Sequence, residues 1–95
     1  KRSTLPNASA GSKSIIDFIA TPNPSNGNFK AIINLENDSA VNLRMFSTAG
    51  EFIVQKKDSG KKKYEIDFNT SLQAGMYILV LETEQQTMVK KIIIY

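Results

Sequence analysis

The chain has no histidine and no cysteine. The commonest general base, the commonest transition-metal ligand and the thiol nucleophile are therefore absent. Four carboxylates invite a calcium reading: Asp17, Glu36, Asp38 and Asp58. They are scattered, and no short loop supplies the alternating oxygen ligands of a compact site. Paired-carboxylate hydrolysis needs a cleft, and 95 residues leave little room for one. No nucleophile–base pair is visible. The sequence thus predicts no catalytic residue, no metal and no cofactor, and a chain that is not an enzyme.

Lysines are the other charged chemistry. They cluster at Lys56-Lys57, Lys61-Lys62-Lys63 and Lys90-Lys91, within twelve basic residues and a net charge of +3. Glu51, Asp58, Glu65, Asp67, Glu82 and Glu84 lie between or beside the clusters. A nucleic-acid binder shows a one-sign stripe, so no nucleic-acid partner is expected. A sugar-binding face would stack rings on aromatics, but there is no Trp, and the three Tyr fall mostly in strand-like runs. What remains is contact chemistry: a surface that another molecule reads.

The elements that would position such a surface are short apolar runs. Ninety-five residues with 41% apolar and 22% charged content suit one soluble globular domain. Residues 1–14 have linker composition, rich in Ser, Ala, Asn and Gly with Leu5 as the one large apolar residue. They read as a linker continuing from an upstream domain, and residues 15–95 as the folded domain. No run reaches eighteen apolar residues, so no transmembrane helix is expected, and residues 1–14 lack the apolar core of a signal peptide.

Residues 15–20 form the first strand candidate, with Ile15, Asp17 and Ile19 on one face and Ile16, Phe18 and Ala20 on the other. Thr21 to Gly27 reads TPNPSNG, a corner in which each Pro favours extended neighbours and Gly27 can take positive φ. Phe29, Ala31, Ile33 and Leu35 then alternate with polar residues, and a polar turn at 36–39 follows. Val41, Leu43 and Met45 point inward, and Gly50 serves a tight turn. Phe52 and Val54 are the inward pair of the next strand, which a charged loop at 56–62 separates from Tyr64, Ile66 and Phe68. Leu72 is a buried candidate in the connection that follows.

Residues 75–95 close the chain as GMYILVLETEQQTMVKKIIIY, two strand-like runs around Thr83-Glu84-Gln85-Gln86. Gly75 is expected at a bend or bulge with positive φ. Tyr77 belongs to the core with its hydroxyl at the rim. Lys90 and Lys91 are adjacent, so they point to opposite faces, and each either guards an edge or offers a charged contact. Tyr95 is a terminal aromatic, but wet strand faces elsewhere do not make the lipid-facing band of a membrane barrel. If the last strand is an edge, its free backbone invites strand addition by a partner. Seven short strands about ten residues apart, with no helical periodicity, predict an all-β, seven-stranded antiparallel β-sandwich, immunoglobulin-like in architecture.

Three pieces of this chain resemble, in order, the type A C-terminal sorting domain of the type IX secretion system of the Bacteroidetes. Pro22-Asn23-Pro24 with Gly27-Asn28-Phe29 is similar to the family's "PNP…G.F" opening. The middle turn at Gly50 is similar to its "D..G", although the position usually Asp falls here among Ser47 and Thr48. Leu72 to Val80 resembles "L.aG.Y.l.v", closed by Lys90-Lys91-Ile92-Ile93-Ile94. The resemblance implies a secretion signal on an upstream cargo domain, exported through the periplasm to the cell surface or beyond. The implied partners are the outer-membrane translocon and a sorting peptidase that cuts within residues 1–14. It also points to Gly75, Tyr77, Lys90, Lys91, Ile92, Ile93, Ile94 and Tyr95 as recognition residues. Pro22, Asn23, Pro24, Gly27, Phe29 and Gly50 are the structural motif. The competing reading is a carbohydrate- or protein-binding sandwich appended to a secreted enzyme.

Overall fold

The computed structural model describes residues 15–95; the linker and cleavage region expected at 1–14 lie outside the described residues. The strands are β1 (Ile15–Thr21), β2 (Asn28–Ser47), β3 (Phe52–Asn69), β4 (Gly75–Glu82) and β5 (Thr87–Ile94). All ladders between them are antiparallel, in the order β1-β2-β4-β5 with β3 on the other side of β2.

The sequence predicts seven strands; the structure has five. The expected strands at 28–35 and 41–45 are the two ends of β2, and those at 51–57 and 64–69 are the two ends of β3. The polar segments between them do not reverse the chain. Asn34 pairs with Lys63 and Ser39 with Lys61, so β2 advances five positions while β3 moves two. Ser39 to Val41 then spans Lys61 to Asp58, placing the excess on β3. These are bulges, which bend and twist a strand without ending it. Polarity reports exposure, and a bent, bulged strand is as exposed as a turn. The Tyr64 hydroxyl braces the bend, donating to the Ser39 carbonyl at 2.6 Å and accepting the Lys61 N–H at 3.1 Å.

The bend doubles the sheet over. Lys56 Nζ donates to the Asp67 carbonyl at 2.6 Å, eleven residues along the same strand. A straight strand would hold those residues ~36 Å apart. The same ammonium lies 5.2 Å from the centroid of the Phe68 ring. One half of the sheet is β1 with the first part of β2 and the last part of β3. The other is β4 and β5 with the remainder of β2 and β3. Ladders join all five strands in one sheet, not the two separate sheets of the expected sandwich.

The inner faces of the two halves share one core. Phe29, Ala31, Ile33, Leu35, Phe18, Tyr64 and Phe68 come from the first, and Val41, Leu43, Met45, Leu79, Leu81, Ile92 and Ile94 from the second. Phe29 and Phe68 are cross-strand partners and stack at 4.9 Å between centroids. Two alternations break at further bulges. Between Ile15 and Asp17 the β1 register shifts, so Ile15, Phe18 and Ala20 are buried while Ile16 and Ile19 face solvent. Met45 pairs with Val54 but Phe46 with Phe52, which inserts Ile53 and turns Phe52 outward, 54% exposed, against the edge of the Phe46 ring.

Candidate functional site

The three separated motif pieces meet at one end of the molecule. Across the sheet, Ser47 pairs with Tyr77 and Tyr77 with Ile92, which sets the middle turn, the Gly75–Tyr77 segment and the terminal segment side by side. The Pro22–Gly27 corner then closes the outer side of β5.

That closure is made by Asn23 and Ser25. The Asn23 amide donates from Nδ2 to the Lys91 carbonyl at 2.8 Å and accepts the Ile93 N–H on Oδ1 at 2.9 Å. One carboxamide thus pairs with β5 as a backbone peptide would. Ser25 continues the imitation with its main chain, donating to the Ile93 carbonyl and accepting the Tyr95 N–H, both at 2.9 Å, in a parallel bridge to Ile94. Ser25 is buried, and its hydroxyl accepts the Gly27 N–H at 3.3 Å. Gly27 is required by geometry: its φ is +108°, and a Cβ there would lie 2.6 Å from the Thr70 carbonyl oxygen. In return the Gly27 carbonyl accepts both the Thr70 N–H at 2.9 Å and the Thr70 hydroxyl at 2.8 Å.

The far end of β5 is tied as well. Gln86 Oε1 accepts the Ile15 N–H at 3.1 Å, fastening the start of β1 to the start of β5. The hairpin turn is built on Thr83, whose hydroxyl accepts the Gln85 and Gln86 N–H groups at 3.3 and 3.0 Å. The edge expected to invite strand addition is thus half closed. At residues 91–95 the corner already occupies it.

The middle turn explains the departure from Asp. Ser47 Oγ accepts the N–H groups of Ala49 at 3.2 Å and Glu51 at 3.1 Å. A hydroxyl does here what a short carboxylate would do, and Gly50, at φ +88°, closes the turn. Gly75 opens β4 in register with Ile94, just after a bend at Ala74 and with positive φ, as expected, and the β4–β5 ladder carries no bulge there. Tyr77 packs against the core and its hydroxyl donates to the Gln73 carbonyl at 2.7 Å.

The candidate recognition residues divide by face. Ile92 and Ile94 are buried in the core, and Lys90, opposite Leu79, is half-buried on that same side. Lys91, Ile93 and Tyr95 face outward. Among the described residues, no ion pair involves either lysine. Sequence reasoning missed their outward neighbours: Met76 opposite Ile93, Ile78 opposite Lys91, and Val80 opposite Val89. Phe46 continues the same surface beside Ile78. Arg44 beside Val80 pairs with Glu82 at 2.8 Å. The available signal was the unbroken apolar run from Met76 to Leu81, where a strand with one wet face should alternate.

A shallow groove lined by Val41, Lys57, Asp58 and Glu82 lies at the far end of β4. Among the described residues, no three acidic groups are placed to hold a metal, and no helix is long and apolar enough to cross a membrane. No curated protein matches the chain. A family model does, over residues 20–95: the secretion system C-terminal sorting domain.

Proposed function

Because the chain belongs to the family of type IX secretion C-terminal sorting domains, we propose that its folded end, where the three motif pieces meet, is the address the secretion machinery reads. The domain is a sorting signal for type IX secretion, which directs export to the cell surface or outside. The family is not a catalytic one. A carbohydrate-binding role is not favoured: the outer face of β4 and β5 is mainly aliphatic, with no aromatic residue on either strand's outer face except Tyr95 just past the end of β5. Phe46 lies beside that face on β2, edge-on to Phe52.

One observation carries the reading. The corner and the terminal strand, far apart in sequence, are joined through Asn23 and Ser25. A short terminal peptide would be a disordered ensemble; tied in this way, it has one shape. Gly75, Tyr77, Lys90, Ile92 and Ile94 then act by holding that shape, and Lys91, Ile93 and Tyr95 by contact. We further infer that the doubled sheet serves as the two-layer, immunoglobulin-like frame, since both inner faces feed one core. The outer-membrane translocon is the reader, and a sorting peptidase cuts within residues 1–14 to separate an upstream cargo domain.

The test is a fusion of this chain to the C-terminus of a periplasmic reporter in a host that carries the system. The reporter should reach the surface with the domain and stay inside without it, and loss of residues 90–95 should abolish surface display. A reporter exported equally well without residues 90–95 would refute the reading.

A further inference from the structure

The outer surface of β4 and β5 has a composition that water does not explain. β4 is apolar at every position from Met76 to Leu81, yet only its inner residues, led by Leu79 and Leu81, are buried by the core. On β2, by contrast, the outward positions are mostly polar: Lys30, Asn34, Asn42 and Arg44 stand there, with Ile32 and Phe46 as the apolar members. Strands that are apolar on both faces occur where both faces are covered. The exposed members of this surface are large: Val89 is 61% exposed, Met76 45% and Ile93 39%. They adjoin one another through the pairs Met76–Ile93 and Val80–Val89. Contiguous apolar patches of this kind on a soluble domain mark interaction sites.

Charge narrows the occupant. Lys91 stands on this patch, between Val89 and Ile93 and opposite Ile78. It is exposed, and none of the ion pairs among the described residues includes it. The face is therefore an apolar field with one unneutralised cation. Edge pairing is a poor alternative at this place, since Asn23 and Ser25 already fill the backbone positions beside residues 91–95. A partner must read side chains.

We propose that the outward face of the β4–β5 hairpin, built on Met76, Ile78, Val80, Val89, Lys91 and Ile93, docks onto an apolar protein surface of the secretion machinery that presents a carboxylate to Lys91. This rests on the sorting-signal reading and names its contact surface. Inward residues of the terminal motif take no part in contact; they hold the face in place.

The test uses the whole chain as a reporter fusion in the secreting host. Val80→Asp and Val89→Asp put a charge on the face without entering the core. Each should lower surface display by about tenfold or more, the scale of an interface hot spot. Lys91→Glu should do the same, and Lys91→Arg should retain display. Ile19→Asp, on the outer face of the other half-sheet, should be exported normally. Thermal unfolding of each purified chain must stay near that of the parent, which separates lost contact from lost fold. Normal display of the folded Val80→Asp and Val89→Asp chains overturns the proposal, as does a face that merely pairs two copies: Val89→Asp then converts a dimer to a monomer while display is unchanged. If removal of residues 90–95 leaves display intact, the sorting-signal reading itself fails, a distinct outcome.

Discussion

Asn23→Ala is the sharpest perturbation of the motif end. The side chain makes two hydrogen bonds to the β5 backbone, at 2.8 and 2.9 Å, and both lie at the exposed surface. A hydrogen bond contributes about 0.5–1.5 kcal/mol net, and exposure places these in the lower half, because water replaces the lost partner. The expected loss is about 1–2 kcal/mol. For a domain of this size each kcal/mol lowers the melting midpoint by about 4–8 °C. A drop of roughly 4–16 °C should therefore appear in thermal unfolding followed by circular dichroism. Amide exchange localises the effect: the Ile93 N–H loses its acceptor and should exchange faster, while core amides follow only the global change. Asn23→Asp keeps an acceptor for Ile93 but loses the donor to Lys91, so it should retain Ile93 protection in part. Asn26→Ala is the control, since its oxygen serves only the neighbouring Asn28 N–H. If Asn23→Ala leaves both the midpoint and Ile93 exchange unchanged, the corner does not hold β5, and the account of a shaped terminal signal falls.

Three further outcomes follow from packing and charge. Gly27→Ala adds a Cβ 2.6 Å from the Thr70 carbonyl oxygen at φ +108°, so it should cost at least about 1–3 kcal/mol in denaturant unfolding; a neutral result would refute the close approach. Leu79→Ala empties a fully buried position of the second half-sheet and should cost about 2–5 kcal/mol, read as a lower urea midpoint. Lys30 is held above its ordinary 10.5, first by the hydrogen bond to Glu65, then by the charges of Glu65 and Asp67. A raised lysine value stabilises fully below the unfolded value and fades as pH rises through the folded one. This pair should thus add no pH dependence near neutrality, and Glu65→Gln should bring the Lys30 titration, followed by NMR, back down.

Strand character was legible because it is local. Alternation placed Phe29, Ala31, Ile33 and Leu35 on one face, and Val41, Leu43 and Met45 on another, and all seven are buried. The number of strands was not legible. A polar stretch such as 36–39 has the same composition whether the chain turns back or bulges onward, and only the partner on β3 decides. One-residue bulges defeated the period-two reading at Ile16 and Phe52 for the same reason: parity is local, but register belongs to a pair.

The candidate site divides in the same way. Sequence by itself determined the inventory: no His or Cys for catalysis, a proline–asparagine corner, a glycine turn and a lysine-bearing terminal run, in an order that resembles one family. It also carried, unread, the two-sided apolar pattern of Met76 to Leu81. Tertiary structure alone decided that the corner grips the terminal strand, since a carboxamide finds its peptide partner only when the sheet brings residues 23 and 91–93 together. It also decided which member of each adjacent pair faces water: Lys91 and Ile93 outward, Lys90 and Ile92 inward. Alternation says that neighbours differ in face, but only the doubling of the sheet says which side is the core.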